Sequence, residues 1–222
     1  MAQAHATSAG VPRWQRRPDD RPRTLRAAAL KLLLRDGYRR IRVQDVAAAA
    51  GVSKATVYHY FANKDELLTH SVAGRIAEKQ TDIERRLASA GRTSSERLRL
   101  FLHEFWMMSL TRQAGLWQRL LVSEIVTEAP EVFTVWARGL VQRWRLVQRL
   151  IEEGQRTGEF RRDADAEVTA RLVVSALAHQ ALFHKHFRVR RLAPCATNRI
   201  FDGAIDQLLL GLRPSARRTF RR

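Results

Sequence analysis

The segment VQDVAAAAGVSKATVYHYF, residues 43–61, reads as a helix, a glycine turn and a second short helix. Val46 and Ala50 lie four residues apart on one face of the first helix. Gly51 can adopt the positive φ that reverses the chain tightly, and Ser53 can cap the helix that follows. This pattern is typical of a helix-turn-helix, whose second helix lies in the major groove of DNA.

Two further helices flank this segment. The upstream one carries its apolar residues at the spacing of a helix face and ends near Gly37, a residue suited to a helix C-terminus. Those apolar residues are Leu25, Ala28, Ala29, Leu32 and Leu33. Downstream, Asn63 and Glu66 have the spacing of a capping box, which predicts that another helix starts there.

Residues 24–68 closely resemble the N-terminal domain of the tetracycline-repressor (TetR) family of bacterial transcription regulators. The resemblance rests on AAALKLLLRDGY, DVAAAAGVSKATVYHYF and NKDELL, and it runs without a gap. It implies an all-α, nine-helix TetR-like architecture. In that architecture a three-helix helix-turn-helix domain precedes a helical ligand-binding and dimerisation domain.

The resemblance also implies which residues contact DNA. The recognition helix is Lys54 to Tyr60, and the DNA-facing positions of the family are matched here by Arg42, Gln44, Ser53, Lys54, Ala55, Thr56, Tyr58, His59 and Lys64. Gln44 can reach a base edge through its amide. Thr56, Tyr58 and Lys64 are expected to contact phosphates.

One position departs from the family pattern, which usually has a serine or threonine just before the second helix. The pair here is Ile41-Arg42. Arg42 cannot cap the helix in the same way, so Asp45 or water must satisfy those amides. The guanidinium is nevertheless expected to reach a phosphate.

The composition is consistent with a polyanionic partner. Forty basic and 22 acidic residues give a formal net charge of +18, although the arginine and alanine bias of a GC-rich coding sequence explains part of it. The single cysteine, Cys195, suits a reducing bacterial cytoplasm, where we expect the protein to be nucleoid-associated when bound to DNA. We expect no membrane span and no secretory signal, since no apolar segment is long enough.

Four regions are predicted along the chain. A basic N-terminal arm (1–22) precedes the DNA-binding domain (23–68, helix-turn-helix about 42–61), and a ligand-binding and dimerisation domain (69–212) precedes a basic tail (213–222). The arm has two interpretations, a contact to the DNA groove or phosphates and a solvated tail. Later helices are predicted to begin near Ser94, Leu116, Pro130, Asp165 and Thr197 or Asn198.

Aromatic residues are unusually dense in the larger domain. They predict a pocket for a small lipophilic or aromatic effector, with Phe101, Phe105, Trp106, Trp117, Trp136, Leu140 and His179 as lining residues. Polar contacts are expected from His103, Glu124 or Arg143. For any single aromatic residue, plain core packing is the alternative. His179, His184 and His186 form no ordered set of three metal ligands, so neither a metal nor a cofactor is predicted.

These features predict a transcriptional repressor that binds a palindromic operator in double-stranded DNA as a homodimer and is released by its effector. The dimer is expected to form through helices at about 165–187 and 197–212, with Ala176, Ala181, Gly203, Ala204 and Gly211 allowing close approach and Leu208 and Leu212 in the seam. One alternative is a non-specific nucleoid or RNA-binding protein driven by the basic tails. An enzyme is a further alternative, but the sequence lacks HExxH, P-loop, GxSxG and CxxC motifs.

Overall fold

The computed structural model describes residues 20–89, 93–187, 191–192 and 194–214. Within these ranges the chain forms nine helices and no strand, as predicted. The first five are α1 (Arg21–Asp36), α2 (Val43–Ala50), α3 (Lys54–Tyr60), α4 (Lys64–Ser89) and α5 (Ser94–Ser109). None of the helices in the described ranges is long and apolar enough to cross a membrane. The expected basic arm and tail fall almost entirely outside the described residues.

Two of the four later helices contain a π-helical segment. The helix α6 comprises Arg112–Leu120, the π-helical Leu121–Ile125 and a last turn at Val126–Glu128. The long α7 spans Pro130–Thr157, α8 combines Ala166–Ala181 with the π-helical Leu182–His186, and α9 spans Thr197–Leu212. Such π-helical turns frequently mark functional sites.

The helix ends in the N-terminal region agree with the sequence patterns. Gly51 has a φ of 67°, in the left-handed region. The hydroxyl of Ser53 accepts the Thr56 N–H at 3.1 Å, and the Asn63 side chain accepts the Glu66 N–H at 2.8 Å. Each bond satisfies a donor that a helix start leaves unpaired, which confirms the predicted caps of α3 and α4.

Some helix starts differ from the predictions. The helix α6 begins at Arg112, four residues earlier than expected, because Thr111 caps it by accepting the Ala114 N–H. In contrast, α5 begins at Ser94 as predicted, and Thr93 caps it in a capping box with Glu96. Arg42 occupies the cap position of α2 and makes no capping bond through its side chain.

Two hydrophobic cores hold the described residues together. One joins α5, α7, α8 and α9 with the C-terminal part of α4. The other joins α1, α2, α3 and the start of α4 with α6 and the first turn of α7, through Leu120, Leu121, Ile125 and Val132. The helix α6 therefore completes the core of the helix-turn-helix.

Candidate DNA-binding surface and ligand cavity

The helices α2 and α3 present one buried face and one exposed face. Val46, Ala47 and Ala50 of α2 are buried, and Val57 of α3 is 1% exposed against them. The opposite face of α3 therefore points to solvent. Since α3 is too short to be stable alone, this packing is what holds its outer side chains in place.

The predicted DNA contacts lie on this exposed face. Seven of them are exposed: Arg42, Gln44, Ser53, Lys54, Ala55, Tyr58 and His59. Thr56 is half-buried and its hydroxyl lies 2.9 Å from that of Ser53. Tyr60 is half-buried and packs with the second core, whereas Tyr58 remains 46% exposed. Seven of the nine predicted contact residues are thus accessible to a partner.

Lys64 is held by Tyr38, a residue for which the sequence predicted no role. The Nζ of Lys64 donates to the Tyr38 carbonyl at 3.1 Å and lies 3.9 Å from the centre of the Tyr38 ring. The Tyr38 hydroxyl donates to Asp65 at 2.7 Å. Burial, together with this hydrogen bond, raises the pKa of Tyr38 to about 12. These contacts restrain the Lys64 side chain before it meets any partner.

Comparison with known proteins relates the N-terminal helices to a known family. Residues 25–70 match the family model described as bacterial regulatory proteins, tetR family. This segment is similar to the N-terminal domain of TetR-family regulators. It is 29% identical over 147 residues to the HTH-type transcriptional regulator EthR of Mycolicibacterium smegmatis, covering 63% of this chain and 64% of that protein. It is 46% identical over 52 residues to the DNA-binding transcriptional repressor TetR of Mycobacteroides abscessus, covering 23% and 27%. The chain therefore matches less than two thirds of the length of either TetR-family relative.

Solved structures of TetR-like fold agree with the architecture. A transcriptional regulator FadR from Bacillus subtilis, in complex with stearoyl-CoA, superposes with a TM-score of 0.67 at 17% identity, over 86% of this chain and 99% of that one. A regulator from Saccharomonospora viridis, in complex with choline, superposes with a TM-score of 0.68 at 18% identity, over 88% and 98%. At these identities the likeness shows the fold alone, and the ligand must be inferred from the residues of this chain.

An apolar cavity of about 550 Å³ lies among α1, α4, α5, α6, α7 and α8. Five of the predicted pocket residues line it: Phe105, Trp117, Trp136, Leu140 and His179. Phe101 and Trp106 do not. Both are buried in the first core, where Trp106 stacks on Phe201 at 6.1 Å between ring centres. Their prediction as pocket residues was wrong, because aromatic spacing does not distinguish a cavity wall from a filled interior.

Three cationic side chains line the cavity, Arg75 and Lys79 of α4 and the half-buried Arg143 of α7. Burial lowers the pKa of the Arg143 guanidinium, and within the described part of the chain it has no ion-pair partner. Of the other two expected polar residues, His103 packs edge-on against Phe201 and Glu124 turns away from the cavity. On α4 the cavity is lined by Val72, Arg75, Ile76 and Lys79.

Glu124 instead connects α6 to the loop before the helix-turn-helix. Its carboxylate accepts the Arg39 N–H at 3.0 Å, and the Arg39 guanidinium pairs with Glu128. Gly37, with a φ of 89°, leaves the space that Glu124 occupies, since a Cβ there would lie 2.8 Å from the Glu124 Oε1. The neighbouring α6 residues Leu121 and Val122 line the cavity. One turn of α6 thus contacts both the cavity and the loop that precedes α2.

The three clustered histidines occupy separate environments. His179 stacks on Phe183, and His184 is buried with its Nε2 lacking a hydrogen-bond partner. The Nε2 of His186 lies 2.9 Å from the Ser109 carbonyl. The described residues include no group of three or more metal-ligating side chains. His184 is thus a buried core residue, His186 contacts α5, and His179 lines the cavity.

An apolar face on α8 and α9 has no covering element among the described residues. Val168 is 49%, Leu172 is 66% and Leu210 is 58% exposed. At Gly203 and Gly211 an added Cβ would meet no atom within 4 Å. Two of the residues predicted for a dimer seam lie elsewhere, because Ala181 and Leu212 are buried in the first core of their own chain.

Proposed function

We propose that this protein is a ligand-responsive, sequence-specific DNA-binding regulator that represses transcription from a palindromic operator. The observation that carries the proposal is the exposed outer face of α3, held in place by the buried Val57. An α-helix so presented fits the major groove, where base edges can be distinguished. The relatives are named as transcriptional regulators or repressors, and this gives further support.

Within this surface we assign two kinds of contact. Gln44, Lys54 and His59, exposed at the α2 start and on the outer face of α3, read base edges. Arg42, Ser53, Thr56, Tyr58 and Lys64 contact phosphates, which position the protein on the duplex, and Ala55 allows close approach. Tyr38 supports this arrangement by holding the Lys64 ammonium in place.

Operator binding requires two copies in this proposal, because a two-fold operator presents half-sites about 34–36 Å apart or a multiple of that. The exposed apolar face of α8 and α9 supplies the contact. In a four-helix arrangement, glycines at Gly203 and Gly211 allow the helices of the two copies to approach closely. The division into a DNA-binding unit (23–68) and a ligand-binding and dimerisation unit (69–212) is part of the same proposal.

A small molecule in the cavity releases the operator. Its walls include Ile76 of α4 and Leu121 of α6, so a ligand that expands the cavity displaces both helices. The Glu124–Arg39 bond passes the α6 movement to the loop before α2. When the distance between the α3 helices of the two copies changes, these helices no longer fit successive major grooves of the operator. A coupling of about 1–3 kcal/mol is typical of such control.

Selection from a random-sequence duplex library tests the DNA-reading part of this proposal. The purified protein should enrich a palindrome with two half-sites, and Gln44→Ala should alter one position in each half-site. Arg145→Ala, which removes a charge from an exposed position on α7, serves as the control. Recovery of unrelated sequences that bind equally well would instead support a non-specific nucleic-acid-binding protein, the alternative that the charge of +18 favours.

A further inference from the structure

A cationic groove adjoins the apolar cavity. The groove has a volume of about 610 Å³ and lies between α1, α4 and α6. Leu30, Leu34, Arg75 and Gln113 line both the groove and the cavity, so the two spaces share a wall. Six basic side chains and one acidic side chain, Glu78, line the groove. The basic ones are Arg23, Arg26, Lys31, Arg35, Arg75 and Arg112.

Most of this positive charge is not neutralised by the protein. Arg35 pairs with Asp36 at 2.6 Å, and Arg75 lies 3.6 Å from Glu78. In the described part of the chain, four cations have no ion pair and no hydrogen bond through their side chains, namely Arg23, Arg26, Lys31 and Arg112. Like charges facing one concave surface repel each other, so an anion placed there is favoured.

Arg26 and Arg112 approach the groove from different helices. Arg26 extends from α1 towards α4, where a Cβ at Gly74 would lie 3.5 Å from its guanidinium. The absence of a side chain at Gly74 leaves room for the guanidinium beside α4. Arg112 opens α6, the helix that also lines the cavity through Trp117. An anionic group with several oxygens can therefore contact α1 and α6 together.

We propose that the groove binds the phosphate or carboxylate head of an amphiphile whose apolar chain fills the adjoining cavity. This inference rests on the proposed function and deepens it by naming the effector class. The cavity provides mostly apolar walls for the chain, and the groove provides the counter-charges for the head. An anionic head group that contacts both α1 and α6 would fix the position of the proposed DNA-binding unit (23–68) relative to the cavity.

The competing occupant of the groove is the phosphate backbone of DNA. The groove contains residues of α4 and α6 as well as α1, and it shares a wall with an apolar cavity. Neither feature is needed to bind a duplex, whereas both are needed to bind an amphiphile. We therefore favour the amphiphile, and the experiment below also shows whether the groove binds DNA instead.

Calorimetric titration with decyl phosphate, decanol and decyltrimethylammonium, each below its micellar concentration, tests the proposal on the full-length protein. Decyl phosphate should bind about tenfold more tightly than decanol, as expected for two exposed charge contacts, and the ammonium should bind most weakly. The double substitution Arg26→Gln/Arg112→Gln should bring decyl phosphate down to the affinity of decanol. Arg119→Gln, an exposed position on the same α6, should retain the preference.

Two further variants locate the two ends of the ligand. Ala178→Phe, which places a ring in the cavity, should weaken binding of all three probes, with circular dichroism confirming the fold. Unchanged affinity in this variant would overturn the proposal. Arg143→Gln should keep the head-group preference. Loss of the preference there, together with its retention in the Arg26/Arg112 variant, would place the anion inside the cavity and overturn the groove assignment.

Operator affinity measured in the same samples separates this proposal from the proposed function. A preference for decyl phosphate over decanol, without any change in operator affinity, would support the groove assignment. The same result would contradict release of the operator by the ligand. If the wild-type protein bound decyl phosphate no more tightly than decanol, the groove assignment would be overturned, even if operator binding is sequence-specific. If the Arg26/Arg112 variant changes the salt dependence of DNA binding and leaves probe affinities unchanged, the groove is a DNA contact.

Discussion

The carboxylate of Glu124 accepts the backbone N–H of Arg39 at 3.0 Å, across 85 positions of sequence. Glu124 belongs to the π-helical turn of α6, and Arg39 belongs to the loop before α2. The same turn lines the apolar cavity through Leu121 and Val122. This bond therefore links a helix that lines the proposed ligand site to the loop that precedes α2.

Replacing Glu124 with alanine should weaken the coupling between ligand and operator. The change leaves the Arg39 N–H without its protein acceptor and should cost about 1 kcal/mol in free energy of unfolding. Operator affinity without ligand should change little, while the factor by which decyl phosphate lowers it should fall towards one. Fluorescence anisotropy of a labelled operator measures both quantities. Glu131→Ala, an exposed carboxylate on α7, is the control, and equal coupling in all three proteins would contradict this route.

The raised pKa of Tyr38 predicts a specific dependence of protein stability on pH. Its pKa is raised to about 12 in the folded protein, from an ordinary value near 10. Because the pKa is higher in the folded state, the protonated Tyr38 hydroxyl contributes its full stabilisation below about pH 10. This contribution is lost as the pH rises towards 12. The difference in free energy of unfolding between wild type and Tyr38→Phe should shrink between pH 9.5 and 11.5. Urea denaturation at both pH values measures it, and a constant difference would show that Tyr38 does not titrate as described.

Lys64 and Gln44 should differ in their effects on DNA binding. Lys64→Ala should weaken binding to all duplexes and reduce the slope of log affinity against log salt by about one. Gln44→Ala should leave that slope unchanged and relax discrimination at one base pair by about 1–3 kcal/mol. Titrations at several salt concentrations with matched and single-mismatch duplexes separate the two. If both variants lost affinity uniformly, the division into base and phosphate contacts would be wrong.

Leu172→Arg should dissociate the proposed homodimer. Leu172 is 66% exposed on α8, and an arginine there would place like charges opposite each other at a two-fold contact. Sedimentation should show monomers at micromolar concentration, with operator affinity lost in parallel. Met107→Arg, at a 51% exposed site on α5, should remain dimeric. A dimeric Leu172→Arg protein would require a different interface.

The local patterns of the helix-turn-helix were informative because short-range chemistry sets them. Gly51 takes a positive φ and Ser53 caps α3 through bonds within a few residues, and such features can be read from sequence. The exposed face of α3 follows from the same periodicity. Lys64 could also be placed near this surface, but its contact with Tyr38 spans 26 positions, so no local pattern indicates it.

Long-range packing decided the features that the sequence could not specify. Trp106 and Trp117 lie on neighbouring helices, but only Trp117 lines the cavity. Leu212 reads as a seam residue by spacing, yet it is 2% exposed in the core of its own chain. The role of α6 in completing the core around the helix-turn-helix depends on tertiary contacts with no periodic signature.

The most direct test of the account compares the affinity of the protein for its selected palindrome with that for a scrambled duplex of equal length and composition, at physiological salt. The account predicts that the palindrome binds at least about 10³-fold more tightly, as specific DNA-binding proteins do. His59→Ala, in the exposed face of α3, should reduce that ratio. Equal affinities for the two duplexes would contradict sequence-specific recognition and leave only charge-driven binding.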